Sequence, residues 1–182
     1  MEEIQLSNGK SVYRAIKPLA LIEMSIDQLG NPDSAFFSAY MAIGATFEDH
    51  KTFDITSIGM TQAEANIAAM FRISHALYDG GFFWLFAHCD NPEYDFKHLK
   101  MAIDAVNIPE LTAAFIRVYD LNNVINPEFS RLTKYPANSL QLSKPEAIKE
   151  EKEIDRTLAQ SGMTNKFLQA CENYARAHYP WN

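Results

Sequence analysis

The chain has 182 residues, 23 acidic against 16 basic side chains for a formal charge of −7, and 47% apolar residues. That is enough length for one well-filled core, since a chain of about 150 residues buries about 70% of the surface it exposes unfolded, and the composition is far from that of a disordered chain. No apolar run approaches the ~20 residues of a membrane span, the start Met1-Glu2-Glu3-Ile4 is acidic where a signal peptide is basic, and Cys89 and Cys171 are too few and too far apart for a disulfide framework, so a cytoplasmic protein is expected.

In chain order, residues 1–17 read as an arm, two short extended pieces about the turn Ser7-Asn8-Gly9-Lys10, because Asn-Gly favours a hairpin. Leu19 to Leu29 is an apolar, helix-like run stopped by Gly30. Asn31-Pro32-Asp33 then supplies a cap, a proline for the first turn and a carboxylate for the helix dipole, opening a helix to about Phe47 with Phe36, Phe37, Tyr40, Met41, Ile43 and Phe47 along it. Thr61-Gln62-Ala63-Glu64 is a capping box, and the helix that follows carries Ile67, Met70, Ile73 and Leu77 at helical spacing to about Tyr78.

Gly80-Gly81 stops that helix, and four aromatics in five residues, Phe82, Phe83, Trp84 and Phe86, follow at once. A backbone that ends a helix and immediately enters a core needs residues without a Cβ, and no GxGxxG or Walker lysine suggests a phosphate loop instead. Asp90-Asn91-Pro92-Glu93 starts the next helix, with Leu99, Met101, Ile103 and Val106 facing inward; Ile108-Pro109-Glu110 opens another that should end at Asn122-Asn123. The prolines and asparagines from Asn126 to Lys144 predict an internal loop with one helical turn at its start. Ser143-Lys144-Pro145-Glu146 repeats the capping box ahead of a charged helix, Ser161-Gly162 breaks it, and a last helix runs from about Thr164 to His178. The chain therefore reads as a single all-α domain, 1–182, of about seven helices around the Gly-Gly hinge, with a C-terminal helical pair over 145–182.

Charge is distributed unevenly. Six acids and six bases balance over Gln141–Asn182, whereas Pro18–Glu64 holds seven acids, Glu23, Asp27, Asp33, Glu48, Asp49, Asp54 and Glu64, against the single base Lys51. Such a face repels nucleic-acid phosphates and steers basic partners. His75, His88 and His98 bracket the hinge, with Cys89 beside His88, but no HExxH, CxxC or His-x-His spacing is present, so neither a metal nor a cofactor is expected.

The turn Asp79-Gly80-Gly81-Phe82, the aromatic run to Phe86 and the helix-like Leu99–Glu110 resemble a domain family, formerly of unknown function, named after an acidic bacterial DNA-mimic protein. The family pattern is an Asn-Gly-Gly-Phe turn, a glutamine two residues later, aromatics, and a helix with an Ala-Leu/Ile-Gly-Ala-Pro-Glu-like end. Asp79 here replaces the asparagine, Trp84 the glutamine, and Val106-Asn107-Ile108 the small residues. The resemblance covers about the middle third of the chain and implies a non-enzymatic homodimer that occupies the DNA site of a basic protein, such as a helix-turn-helix regulator, without touching nucleic acid or membrane. The acids for that task are Glu23, Asp27, Asp33, Glu48, Asp49 and Asp54, with Asp90, Glu93 and Asp95 second. Two other readings remain open: an immunity or scaffold protein with an apolar patch, and a hydrolase-like enzyme built on His75, His88 and Cys89.

Overall fold

The computed structural model describes residues 2–5, 11–14, 34–47, 61–89 and 92–179, with side chains placed from Ser34 to Ile43 and over most of 61–179. The fold is all-α. Among the described residues eight helices follow a two-stranded antiparallel ribbon, β1 (Glu2–Gln5) and β2 (Ser11–Arg14), in which Glu2 pairs with Arg14 and Gln5 with Ser11. The arm is thus a hairpin, with β2 lying beside α1; its turn residues, the run from Leu19 to Leu29, and Asn31-Pro32-Asp33 lie outside the described residues.

Helix α1 (Ala35–Phe47) begins with Ser34, whose Oγ accepts the Phe37 N–H at 3.1 Å. Helix α2 (Gln62–Asp79) carries the predicted capping box, Thr61 Oγ1 accepting the Glu64 N–H at 3.2 Å and Glu64 accepting the Thr61 N–H at 2.8 Å. It is the central helix, packed against α1, α3 (Gly81–Ala87), α4 (Pro92–Val106) and α8 (Met163–His178). Helix α5 (Pro109–Ile125) lies against α3, α6 (Pro127–Thr133) and α7 (Lys144–Gln160).

Two elements differ from the sequence reading. The aromatic run after the glycines is itself a helix, α3, whose Phe82, Leu85 and Phe86 are buried. Helix α5 does not stop at Asn122-Asn123: Asn122 is buried, Val124 and Ile125 follow, and the turn closes with the Asn126 N–H on the Asn122 carbonyl at 2.6 Å. Tertiary burial here outweighs the weak helix preference of asparagine. The segment 126–144 does open with helical structure and go on as a loop: α6 has Pro127 at the first helical position and Phe129, Ser130 and Thr133 buried, and residues 134–143 are not helical.

What draws α6 in is an aromatic core. Phe86 meets Phe115 edge-on at 5.2 Å and stacks on Phe129 at 5.4 Å, Phe82 meets Phe115 edge-on at 5.2 Å, and Phe96 lies 4.2 Å from Tyr119. Burying each such side chain stabilises the fold by about 1.5–3 kcal/mol, and each well-oriented ring pair adds about 0.5–1.5 kcal/mol. The one polar atom in this cluster is satisfied: Tyr119 Oη donates to the Tyr135 carbonyl at 2.7 Å and bonds Thr133 Oγ1 at 2.5 Å. Burial raises the Tyr119 hydroxyl above the usual phenol range, its bonds to Thr133 and Ser130 opposing that shift.

Candidate functional site

The Asp-Gly-Gly-Phe turn is the corner between α2 and α3. Gly80, with extended backbone, ends α2 through its N–H on the Ala76 carbonyl at 3.1 Å, and a Cβ on it would lie 2.8 Å from Trp84 Cβ. Gly81 has φ +71°, in the left-handed region where a side chain costs about 1–2 kcal/mol. Its Cα also faces the Asp155 carboxyl of α7 so closely that a Cβ would overlap it. The two glycines thus answer different demands, close approach at Gly80 and both handedness and approach at Gly81.

Asp155 Oδ1 accepts the Phe82 N–H at 3.3 Å, one of the N–H groups at the start of α3 without a partner in its own helix. One turn earlier on α7, Glu151 is 6% exposed and hydrogen-bonded to Asp155. Burial first, then that hydrogen bond and the neighbouring charge, push the Glu151 carboxyl up to about 8, with Lys152 pulling the other way. The Asp155 carboxyl is also raised, by burial, against the bonds from Glu151 and Phe82. The two carboxyls open onto a cavity of about 450 Å³ walled by Tyr78, Phe83, Lys152 and Arg156. Nothing in the local sequence marked this pair, since Glu151 and Asp155 at i,i+4 sit in a charged helix that reads as solvated surface.

The histidines and the cysteine around the hinge serve local contacts. His75 lies 4.8 Å from the Phe71 ring, His88 stacks on Trp84 with its Nδ1 2.8 Å from the Trp84 carbonyl, and Cys89 Sγ donates to the Leu85 carbonyl at 3.4 Å. Cys171 is fully buried, which holds its thiol well above the ordinary range. Among the described residues no three His, Cys, Asp or Glu side chains gather as metal ligands would.

Of the nine acids singled out in the sequence, Glu23, Asp27, Asp33, Glu48, Asp49, Asp54 and Asp90 lie outside the described residues or side chains. The other two are neutralised. Asp95 is 3% exposed and paired with Arg72 at 2.8 Å, tying α4 to α2, and Arg72 also donates to the His88 carbonyl at 3.3 Å. Glu93 bridges to Lys134 at 2.7 Å. Eight acids among the described residues are ion-paired in this way.

A second set of long-range bonds is made by Glu172 of α8, which is 0% exposed. It accepts from Ser34 Oγ at 2.8 Å and from the Ala35 and Phe36 N–H groups at 3.1 and 3.0 Å, and pairs with Arg176 one turn on. Its carboxylate therefore caps α1 from another helix. No helix among the described residues is long and apolar enough to cross a membrane. Comparison with protein-family models, curated proteins and solved structures finds no match for this chain.

Proposed function

We propose that this protein is a non-enzymatic, acidic DNA mimic. It works in the cytoplasm as a homodimer, presenting the carboxylates of segment 18–64 to the DNA-binding groove of a basic protein of the helix-turn-helix kind and so keeping that protein off its duplex. The observation that carries the reading is a partition of charge. Pro18–Glu64 holds seven acids, among them Glu23, Asp27, Asp33, Glu48, Asp49 and Asp54, against the single base Lys51, whereas Gln141–Asn182 balances six acids against six bases. Among the described residues eight acids are ion-paired. The surplus negative charge therefore lies before residue 141 and is densest over 18–64, and it sets what the molecule attracts.

The test is reversal of Glu48, Asp49 and Asp54 to lysine. Immobilised protein should retain from a lysate, at about 50 mM salt, a DNA-binding protein that a duplex displaces, and the reversal should weaken that capture at least ~100-fold. Equal affinity for the reversed variant, or a partner that binds DNA and this protein together, removes the reading.

One observation favours a second reading. Tyr78 is 66% and Trp84 39% exposed at the same α2–α3 corner, an apolar contact of the sort an immunity or scaffold protein offers. Capture through that corner should persist at about 0.5 M salt. It should be lost in Tyr78→Ser with Trp84→Ser.

A further inference from the structure

Helix α7 packs on the outside of the α2–α3 corner. Asp155 of α7 covers the Cα of Gly81 and accepts the Phe82 N–H, and Glu151, one turn earlier on the same helix, is buried against Asp155. Two carboxyls approach to hydrogen-bonding distance only with a proton between them. We propose that this pair is a proton-operated clasp: with one proton shared, α7 holds the corner, and with none the two charges part, lifting α7 from Gly81 and Phe82 and widening the cavity beneath. The proton leaves to solvent and no other bond is made or broken.

The surroundings make the pair the controlling group. On α7 itself, Lys152 and Arg156 line the cavity, and Arg156 is held by Glu153. From α2 the described titratable side chain at the cavity is Tyr78, and α3 contributes none over Gly81–Ala87. Helix α5 packs on α7 through Arg117, which is engaged by both oxygens of Glu150 at 2.7 and 3.0 Å, and α8 sends no described titratable group into the cavity. Lys152 and the Phe82 N–H offset a second negative charge. The walls of that cavity include Leu77, Phe83 and Leu158, so the open form offers a wider apolar slot than the shut form. This device is independent of what the acidic segments bind.

The experiment is a titration of the folded wild-type protein between pH 6.5 and 9.5, reading the Gly81 and Phe82 amide resonances together with the Glu151 side-chain carboxyl carbon. All three should move together with a midpoint near the value of about 8 that burial and Asp155 impose on Glu151. In Glu151→Gln an amide N–H replaces the shared proton permanently, so the Gly81 and Phe82 signals should stay at their low-pH positions throughout. Asp155→Asn, which lets an amide donate to Glu151, should behave likewise. A Glu151 carboxyl that titrates near 4.5, a titration near 8 that leaves both amides unmoved, or loss of the entire helical circular dichroism with the same midpoint each overturns the clasp. Should Glu151→Gln fail to fold, the wild-type titration decides by itself.

Discussion

Replacing Glu172 by glutamine perturbs the fold at one atom pair with a large expected effect. The carboxylate is fully buried and serves four donors: Ser34 Oγ, the Ala35 and Phe36 N–H groups, and the Arg176 guanidinium. Glutamine keeps the shape, yet its amide nitrogen faces donors where an oxygen stood, and Arg176 is left without its counter-charge. Hydrogen bonds to a charged group contribute about 1.5–3 kcal/mol each, but they share one carboxylate and do not add. Breaking a buried pair by removing one partner costs about 3–5 kcal/mol, and that is the expected loss. Against an unfolding free energy of about 5–15 kcal/mol this is a major fraction. Equilibrium urea denaturation at pH 7 checks it. With a slope of about 2 kcal/mol per molar, the midpoint should fall by about 2 M. Arg176→Gln alone and the double variant complete the cycle, with a coupling of about 1–3 kcal/mol expected between the two sites. A loss under about 1 kcal/mol for Glu172→Gln would show that the α1 cap is satisfied by solvent and refute the reasoning.

Gly81→Ala meets both a left-handed backbone and the Asp155 carboxyl, so it should cost at least about 2 kcal/mol in urea unfolding; adding Asp155→Ala should return the overlap part and leave the ~1–2 kcal/mol backbone part. Arg72→Met removes the counter-charge of buried Asp95 and should destabilise by about 3 kcal/mol, whereas Arg72→Met with Asp95→Leu, which leaves no buried charge, should recover most of it. Stability should also depend on pH through Glu151. Its carboxyl is raised in the folded state from 4.5 to about 8, so its contribution is complete below about pH 4.5 and is lost as pH rises through 8. The difference between wild type and Glu151→Gln in urea midpoints taken at pH 5, 7 and 9 isolates this loss, whose slope is at most ~1.4 kcal/mol per pH unit.

What the sequence disclosed follows the range of the interactions. The two capping boxes, Thr61 with Glu64 and Ser143 with Glu146, are read directly because both partners lie within one helical turn, and each is present in the structure. The all-α class and the stop at Gly80-Gly81 were legible for the same reason. Of α6 only a first turn was legible, because the prolines and asparagines around it resemble a loop until Phe129 finds Phe86, 43 positions earlier. The Asp155 contact with Phe82 spans 73 residues and the Glu172 cap of α1 up to 138, distances over which no local pattern carries information. Asp95 was legible as an acid but not as a buried one, since only the fold brings Arg72 beside it. Most of the acids that suggest mimicry lie outside the described residues.

The cap on α1 has a consequence for synthesis. Its closing residue, Glu172, emerges 138 residues after Ser34, which at 5–20 residues per second is a delay of roughly 7 to 28 s. Throughout that interval the first turn of α1 lacks its main acceptor, and the side chain of Phe36, buried completely in the finished protein, has no α8 to cover it. The newborn chain therefore carries a helix whose first turn cannot be capped until α8 has been made, and this is a stretch that a chaperone would have to hold through that interval.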